Sequence, residues 1–212
     1  LDSLHQSIDR ASQQLLGEQS VAIVGGGATG VSVAANLAAR FSDKSVHFFF
    51  SEPQPLPGYH PRVRASVEQH LRKVGVNLHP YHRALIPAGF QCERFTCAPI
   101  HWSSGQNSFH ADITLWAIGN MIPNNDFIPA AMLNHDGFVK ADALLRVAGY
   151  DNVFTVGDIA ASDPHRSSAR NWGYRLLGHN ICAYLEGREA DLKRYEPPAY
   201  RWGSVFGVQN NG

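Results

Sequence analysis

The stretch that decides the fold is VAIVGGGATG, residues Val21–Gly30, where four apolar residues run directly into a cluster of glycines. The glycines fit the spacing G-x-G-x-x-G as Gly25, Gly27 and Gly30, and an apolar run from 31 to 41 follows them. This order predicts a buried strand, a tight turn and a helix, which is the context that a dinucleotide-binding fingerprint requires. Without side chains at the turn, a diphosphate can approach backbone amides at the positive end of the helix dipole.

The segments after this turn predict a parallel α/β unit. VHFFF, residues 46–50, reads as a second strand, and a proline-rich loop follows it. Apolar residues at helical spacing predict a helix around 63–74, and 76–79 reads as a third strand. The order β-α-β-α-β is typical of a Rossmann-like parallel sheet flanked by helices. Upstream, the spacing of apolar residues between 4 and 15 predicts an additional amphipathic helix.

The pattern changes beyond residue 90. Segments 91–98, 100–102 and 108–113 surround a turn at 103–107 and predict a small antiparallel β-meander, giving a three-layer ββα arrangement. ITLWAI, residues 113–118, reads as another buried strand. Residues 153–156 predict a short strand before Gly157. Asp163 and Pro164 then offer a start for a last helix that runs to Leu185.

Composition excludes several classes of protein and site. Lysine plus arginine and aspartate plus glutamate both number 18 among 212 residues, so no excess positive charge favours nucleic acid or anionic membranes. No apolar run approaches the roughly 20 residues that a membrane span requires. Three cysteines are too few for a disulfide scaffold, and Cys92 and Cys97 lack C-x-x-C spacing. A cytoplasmic location is the expectation. No metal site is predicted, since His79 and His82 lack acidic or cysteine partners in the sequence.

Three separated segments resemble the FAD-dependent pyridine nucleotide-disulfide oxidoreductases. VAIVGGGATGVSVAANLAARF resembles their NAD(P)-binding fingerprint, and ADITLWAIGNMIPNN resembles their strand that ends in Ala-x-Gly, here Ala117 and Gly119. DNVFTVGDIAA resembles their late flavin motif, which ends in Gly157 and Asp158. The stretch LPGYHPRVRASVEQHLRKVGV is similar to type II NADH dehydrogenases and apoptosis-inducing-factor-like members.

The resemblance implies roles for named residues. The NAD(P) diphosphate would be held by Gly25, Gly27, Ala28, Thr29 and Gly30. FAD would be contacted by Gly157 and by Asp158, whose carboxylate would accept a hydrogen bond from the ribityl chain. Residues from Ala169 to Gly173 would lie near the flavin ring, and Gly119 is counted with the cofactor-binding residues. The implied reaction is hydride transfer from NAD(P)H to FAD, followed by electron transfer to an acceptor such as a quinone. No catalytic side chain is assigned.

Two positions depart from the family pattern. Phe50 stands where an acidic residue normally receives the ribose hydroxyls, so Glu52 is either a substitute ribose ligand or an ordinary loop carboxylate. If Glu52 binds ribose, its charge would repel a 2′-phosphate and favour NAD over NADP. Ser32 stands where many relatives carry glutamate. It is either a hydrogen-bonding partner near the nicotinamide or a small residue at a packed helix start.

The family's upstream FAD fingerprint is missing from this sequence, so we expect a fragment whose FAD site is completed only in the full-length protein. The expected regions are an NAD(P)-binding domain at 1–118, a returning FAD-domain segment at 119–199 and the start of an interface region at 200–212. The purified chain is then expected to be colourless. Homo-oligomerisation and peripheral membrane association of the full-length protein stay open. Two alternatives to the oxidoreductase are a catalytically degenerate nucleotide-binding or interaction module and a flavin monooxygenase fragment.

Overall fold

The structure is a computed structural model that describes residues 19–86, 95–118, 123–169 and 172–201. These residues form two compact units, one within residues 1–119 and the other within 120–201. The helix predicted between 4 and 15, as well as Gly119 and Cys92, lie outside the described residues.

The first unit is built on a five-stranded sheet in the order β3-β2-β1-β5-β4. All neighbours are parallel except β4, which is antiparallel to β5. Val24 lies opposite both Phe49 and Trp116, so the carboxyl ends of the three central strands meet at one edge. This sheet with its flanking helices confirms the predicted Rossmann-like α/β class. The strands are β1 Ser20–Val24, β2 Ser45–Phe49, β3 Asn77–His79, β4 Phe95–Thr96 and β5 Ile113–Trp116.

Two helices, α1 Ala28–Arg40 and α2 Pro61–Lys73, pack with one face of the sheet in a single apolar cluster. Pro61 begins α2 because its ring presets a helical φ, and the His60 side chain accepts a hydrogen bond from the Arg62 amide. No helix in the described ranges is long and apolar enough to span a membrane. The buried members of the cluster include Ile23, Val31, Ala34, Ala35, Phe48, Phe50, Leu56, Val67 and Leu71.

The opposite face is covered by residues 100–111 of the predicted meander. Of the strands predicted for the meander, the described residues show only Phe95–Thr96, which is β4 and pairs with β5, so the meander itself is not seen. Ile100 and Phe109 form one isolated antiparallel bridge, and Ala84 and Trp102 form another. The predicted turn at 103–107 forms hydrogen bonds outside the bridge between Ile100 and Phe109. The amide and the hydroxyl of Ser103 both donate to the Arg83 carbonyl oxygen. These polar contacts compete with a regular ladder, because short polar side chains offer backbone groups alternative partners.

One carboxylate fixes the entry of β1 into the sheet. The Ser20 amide and hydroxyl both donate to Asp112 Oδ2, at 2.8 and 2.9 Å. These two hydrogen bonds hold the pKa of Asp112 below its usual value. The contact aligns β1 with the residue that immediately precedes β5, and so sets the register of the two central strands.

The second unit contains α3, Gly173–Leu185, and two short 3-10 helices, Ala130–Met132 and Glu189–Asp191. The predicted start of the last helix at Asp163 is wrong. Asp163 instead closes a turn, since its Oδ1 accepts from the amides of His165 and Ser167. The backbone of Trp172, at φ 63°, then takes a left-handed conformation just before α3 begins. The strand predicted at 153–156 is reduced to a single bridge between Phe154 and Arg146.

Asn180 is expected to be the most sensitive polar side chain of the second unit. It is fully buried, donates to the carbonyl oxygens of Leu144 and Lys193, and accepts from the Lys193 amide, all at 2.8–2.9 Å. Asn180→Ala should lower the free energy of unfolding by about 3 kcal/mol, because it leaves three backbone groups without partners. Urea unfolding measures this, with exposed Asn152→Ala as the control. Equal stability of the two variants would contradict the assignment.

Candidate functional site

The turn after β1 requires glycine at its first position. Gly25 has φ +127°, and a Cβ placed there would lie 2.3 Å from the Ala117 carbonyl oxygen. Its amide donates to the Phe49 carbonyl oxygen at 2.9 Å, while the Ala117 amide donates to the Val24 carbonyl oxygen at 2.8 Å. The ends of β1, β2 and β5 therefore converge on the backbone of Gly25 with no room for a side chain.

The start of α1 comes as close to this turn from the other side. A Cβ on Gly30 would lie 2.0 Å from the Gly25 carbonyl oxygen, so only glycine lets the helix begin here. Gly27 differs, because a Cβ there would meet nothing within 4 Å. Gly25 and Gly30 thus serve the close approach, as the fingerprint predicts, and Gly27 faces open space.

The amides around this turn are free to bind an anion. None of the backbone N–H groups of residues 26–30 donates a hydrogen bond to any part of the chain that the structure describes. Gly27 occupies the N-cap position with φ −79°, so no side chain caps α1, and no acidic residue lies in the first turn. Thr29 is exposed and Ala28 half-buried beside it. Amides without partners in the described chain, together with the helix dipole, are the features by which helix N-termini in general bind phosphates.

Phe50 supports the turn from below rather than obstructing it. Its side chain is 3% exposed and packs so closely on Gly26 that a Cβ there would lie 2.8 Å from the Phe50 Cβ. The Leu56 amide donates to the Gly26 carbonyl oxygen at 2.7 Å. Leu56 is fully buried and adopts a left-handed φ of 61°. The loop after β2 therefore holds the glycine turn in place through one side chain and one hydrogen bond.

Arg64 of α2 fixes the same loop. Its guanidinium donates to the carbonyl oxygens of Pro55 and Gln54, at 3.1 and 3.0 Å. The Gln54 side chain in turn donates to Glu68 at 2.9 Å. Hydrogen bonds from Arg72 first, and from Gln54 second, lower the pKa of Glu68, so its carboxylate is stabilised in the ionised form. The loop next to the glycine turn is thus ordered by groups that sequence reasoning did not single out.

Glu52 and Ser32, for which the sequence left two roles open, lie in different environments. Glu52 is exposed in the fixed loop, two residues beyond the Phe50 that packs on Gly26, and its carboxylate forms no hydrogen bond or ion pair within the described part of the chain. Ser32 lies one turn inside α1, where its hydroxyl accepts a weak hydrogen bond from Asn36 Nδ2 at 3.5 Å. Glu52 is therefore free to take a ribose hydroxyl, while Ser32 already has a partner within its helix.

In the second unit, Ser168 brings the predicted flavin residues together. It is fully buried, and its hydroxyl accepts from the Gly157 amide at 2.9 Å, while its carbonyl oxygen accepts from the Gly173 amide at 2.9 Å. Asp158 and Ala169, the neighbours of these residues, are exposed. Sequence reasoning missed Ser168, since it belongs to none of the motifs.

An aromatic and cationic surface begins α3. Trp172 and Tyr174 are 60% and 51% exposed, and their rings stack with centroids 6.2 Å apart. The Arg175 guanidinium lies 4.2 Å from the centroid of the Trp172 ring. Such a surface suits a planar aromatic group, because rings stack and the cation favours electron-rich faces.

No three or more histidine, cysteine, aspartate or glutamate side chains in the described ranges could together hold a metal ion. Cys97 and Cys182 are free and exposed.

Comparison with known proteins gives this geometry a family context. The family model described as "Pyridine nucleotide-disulphide oxidoreductase" matches residues 2–176. Fe-regulated protein 8 of Mycosarcoma maydis is 29% identical over 185 residues, covering 84% of this chain and 45% of the relative. Ferroptosis suppressor protein 1 of Taeniopygia guttata is 23% identical, covering 93% and 53%. The chain thus spans about half the length of the curated relatives it matches.

Solved structures show the same fold. The water-forming NADH oxidase of Lactobacillus brevis, bound to NADH, aligns with a TM-score of 0.55 and 20% identity. The alignment covers 83% of this chain and 39% of the oxidase chain.

The close approach at Gly30 yields a testable contrast with Gly27. Gly30→Ser should lower the free energy of unfolding by about 2 kcal/mol or more, because its Cβ meets backbone that cannot yield. Gly27→Ser should leave it within about 0.5 kcal/mol, since the site is open and serine is a favoured N-cap residue. Urea denaturation compares the two variants. Equal losses would show that α1 does not pack on Gly25 as described.

Proposed function

We propose that this chain, which belongs to the pyridine nucleotide-disulphide oxidoreductase family, binds a nicotinamide dinucleotide at the turn after β1. The proposal rests on the amides of residues 26–30, which donate no hydrogen bond within the described ranges and lie beside an uncapped helix N-terminus. A diphosphate would satisfy these donors and gain from the helix dipole. Gly27 leaves the space that the phosphate oxygens need.

NAD is the proposed form of the dinucleotide. Glu52 extends from the loop held by Arg64 and Leu56, and its free carboxylate is suited to accept hydrogen bonds from ribose hydroxyls. The same charge would repel a 2′-phosphate. Arg64 reaches this loop from α2 and already donates to two of its carbonyl oxygens, which leaves its guanidinium poorly placed for a phosphate.

The second unit would contribute part of a flavin site in the complete protein. Asp158 is exposed and next to Gly157, so its carboxylate is available to a polyol hydroxyl. Ser168 fixes Gly157 and Gly173, which would keep this carboxylate and the start of α3 at a constant separation. Bound flavin would supply the hydride acceptor for the nicotinamide, and the residues here would hold and orient it. We extend the proposal to a quinone as final acceptor, supported by the resemblance of residues 56–76 to type II NADH dehydrogenases.

A nucleotide-binding module without catalysis is the second candidate. It is favoured by Ser32, which carries no charge and bonds to Asn36 within α1, where relatives place a glutamate. Binding of NADH without NADH-dependent reduction of a soluble quinone by the FAD-loaded full-length protein would favour this candidate.

Titration of NADH fluorescence with the chain tests the proposed site. Gly27→Ser should weaken NADH binding about tenfold, because the new hydroxyl competes for the amides that the diphosphate needs, and one lost charge-assisted hydrogen bond is worth about 1.5 kcal/mol. Gly178→Ser, at an equally open position on α3, is the matched control and should bind like the natural chain. Failure of the natural chain to bind NADH would refute the proposal.

Substitution of Glu52 tests the preference between the two dinucleotides. Glu52→Gln should raise the affinity for NADPH about fivefold, since an exposed like-charge contact costs about 1 kcal/mol. Affinity for NADH should fall or stay unchanged. Asp126→Asn removes one exposed negative charge from the second unit and controls for net charge. An unchanged ratio of NADPH to NADH affinity in Glu52→Gln would identify Glu52 as an ordinary loop carboxylate.

A further inference from the structure

Three histidines gather behind the glycine turn, on the sheet face opposite the helices. His47 Nδ1 lies 3.0 Å from His79 Nε2, so one ring donates a hydrogen bond to the other. The His79 ring stacks on Phe49 with centroids 4.3 Å apart and planes 12° apart, and His82 meets it edge-on at 5.8 Å. These rings fill the space that the helices leave uncovered on this side of β2.

The backbone ties this cluster to the turn by two routes. The His79 carbonyl oxygen accepts from the Phe50 amide at 3.1 Å, and the Phe50 carbonyl oxygen accepts from the His82 amide at 2.9 Å. Phe50 is therefore held from both sides at the point where its side chain packs on Gly26. The second route runs through Phe49. Its ring stacks on the His79 ring, and its carbonyl oxygen accepts a hydrogen bond from the Gly25 amide.

The cluster is built for neutral rings. Burial, and to a smaller extent the neighbouring His47 and His82, lower the pKa of His79 to about 4. Burial also lowers the pKa of His47. In the described residues, the groups that contact the pair from β2 are the Ser45 hydroxyl and the Phe49 ring, and no carboxylate lowers or raises the pKa of either histidine. Phe109 and Trp102 face the cluster from the covering segment with uncharged rings.

Protonation would act on the hydrogen bond between the rings. A first proton on the pair places a charge among aromatic rings without a counterion. A second proton gives both facing nitrogens an N–H, and two donors cannot share a 3.0 Å contact. The rings would separate, and Phe49 and Phe50 would lose the support that holds them against Gly25 and Gly26.

We propose that His79 is a positioning residue of the dinucleotide site, whose neutral ring on Phe49 holds the end of β2 so that the glycine turn stays open to a diphosphate. This role rests on the proposed dinucleotide binding. His79 itself lies on the far side of Phe50 from the glycine turn and acts through β2 rather than by touching the ligand.

Calorimetric titration of the chain with NAD⁺ tests this role. His79→Ala should weaken binding about fivefold at neutral pH, a coupling of ordinary size between neighbouring sites. His79→Phe, which keeps the stack on Phe49, should restore most of the affinity. Asn77→Ala, on the same strand but in contact with Ser45 and the Val46 carbonyl oxygen, should bind like the natural chain. Undiminished affinity in His79→Ala, or equal weakness of His79→Phe and His79→Ala, would overturn the role.

The pH dependence of NAD⁺ affinity distinguishes a positioning role of His79 from a merely structural role. Affinity of the natural chain should be constant above about pH 5.5 and fall about twofold by pH 4, since His79 takes up its proton in that range. His79→Phe should show a flatter profile. By reciprocity, saturating NAD⁺ should lower the pKa of the His79 ring, which NMR can follow in the natural chain.

The outcomes can be told apart even if the variants fold poorly, because the NMR titration needs only the natural chain. An unchanged His79 pKa on NAD⁺ binding would overturn the positioning role and leave the proposed function intact. Absence of NAD⁺ binding by the natural chain at neutral pH would refute the proposed function and this role with it.

Discussion

The near contact between Gly25 and Gly30 is the constraint on which the candidate site depends. The carbonyl oxygen of one residue lies where a side chain of the other would begin, 2.0 Å from an added Cβ. This approach brings the first turn of α1 onto the end of β1, and the N-cap residue Gly27 has no side chain that could cap the helix. The amides of residues 26–30 therefore donate no hydrogen bond within the described part of the chain. Free donors at a helix start are costly when buried and tolerable when exposed, which is the condition that a ligand site exploits.

Tertiary contacts then decide the shape of this exposed turn. Leu56 fixes the Gly26 carbonyl oxygen, and Phe50 closes the space below Gly26. Arg64 holds the loop from which Glu52 extends. The turn is therefore rigid on the sheet side and open on the solvent side. A binding site of this kind needs little reorganisation to accept a diphosphate, so less of the interaction energy is lost in ordering the loop.

Much of the first unit was predictable from sequence, because its signals are local. The apolar run at 21–24, the glycine spacing and the helical periodicity of 63–74 each specify one element, and each element was found. The second unit was harder. Asp163 and Pro164 carry a helix-start signal, yet the carboxylate closes a turn with Ser167, and α3 begins only at Gly173. Short polar residues serve turns and helix starts equally well, and only the surrounding packing chooses between them.

The contacts that sequence reasoning missed join positions that no spacing rule relates. His47 and His79 lie 32 positions apart, and Ser168 reaches Gly157 across 11. In the sequence, His79 and His82 lack the acidic or cysteine partners that a metal site would need. In the folded unit, no described carboxylate stabilises a protonated His79. Its ring therefore stays neutral and stacks on Phe49. Phe50 departs from the family pattern for ribose binding, and packing explains this departure. Its side chain fills the volume beneath Gly26. The departure at Phe50 and the neutral histidines are then parts of one arrangement, since both keep the end of β2 apolar directly behind the amides that would bind an anion.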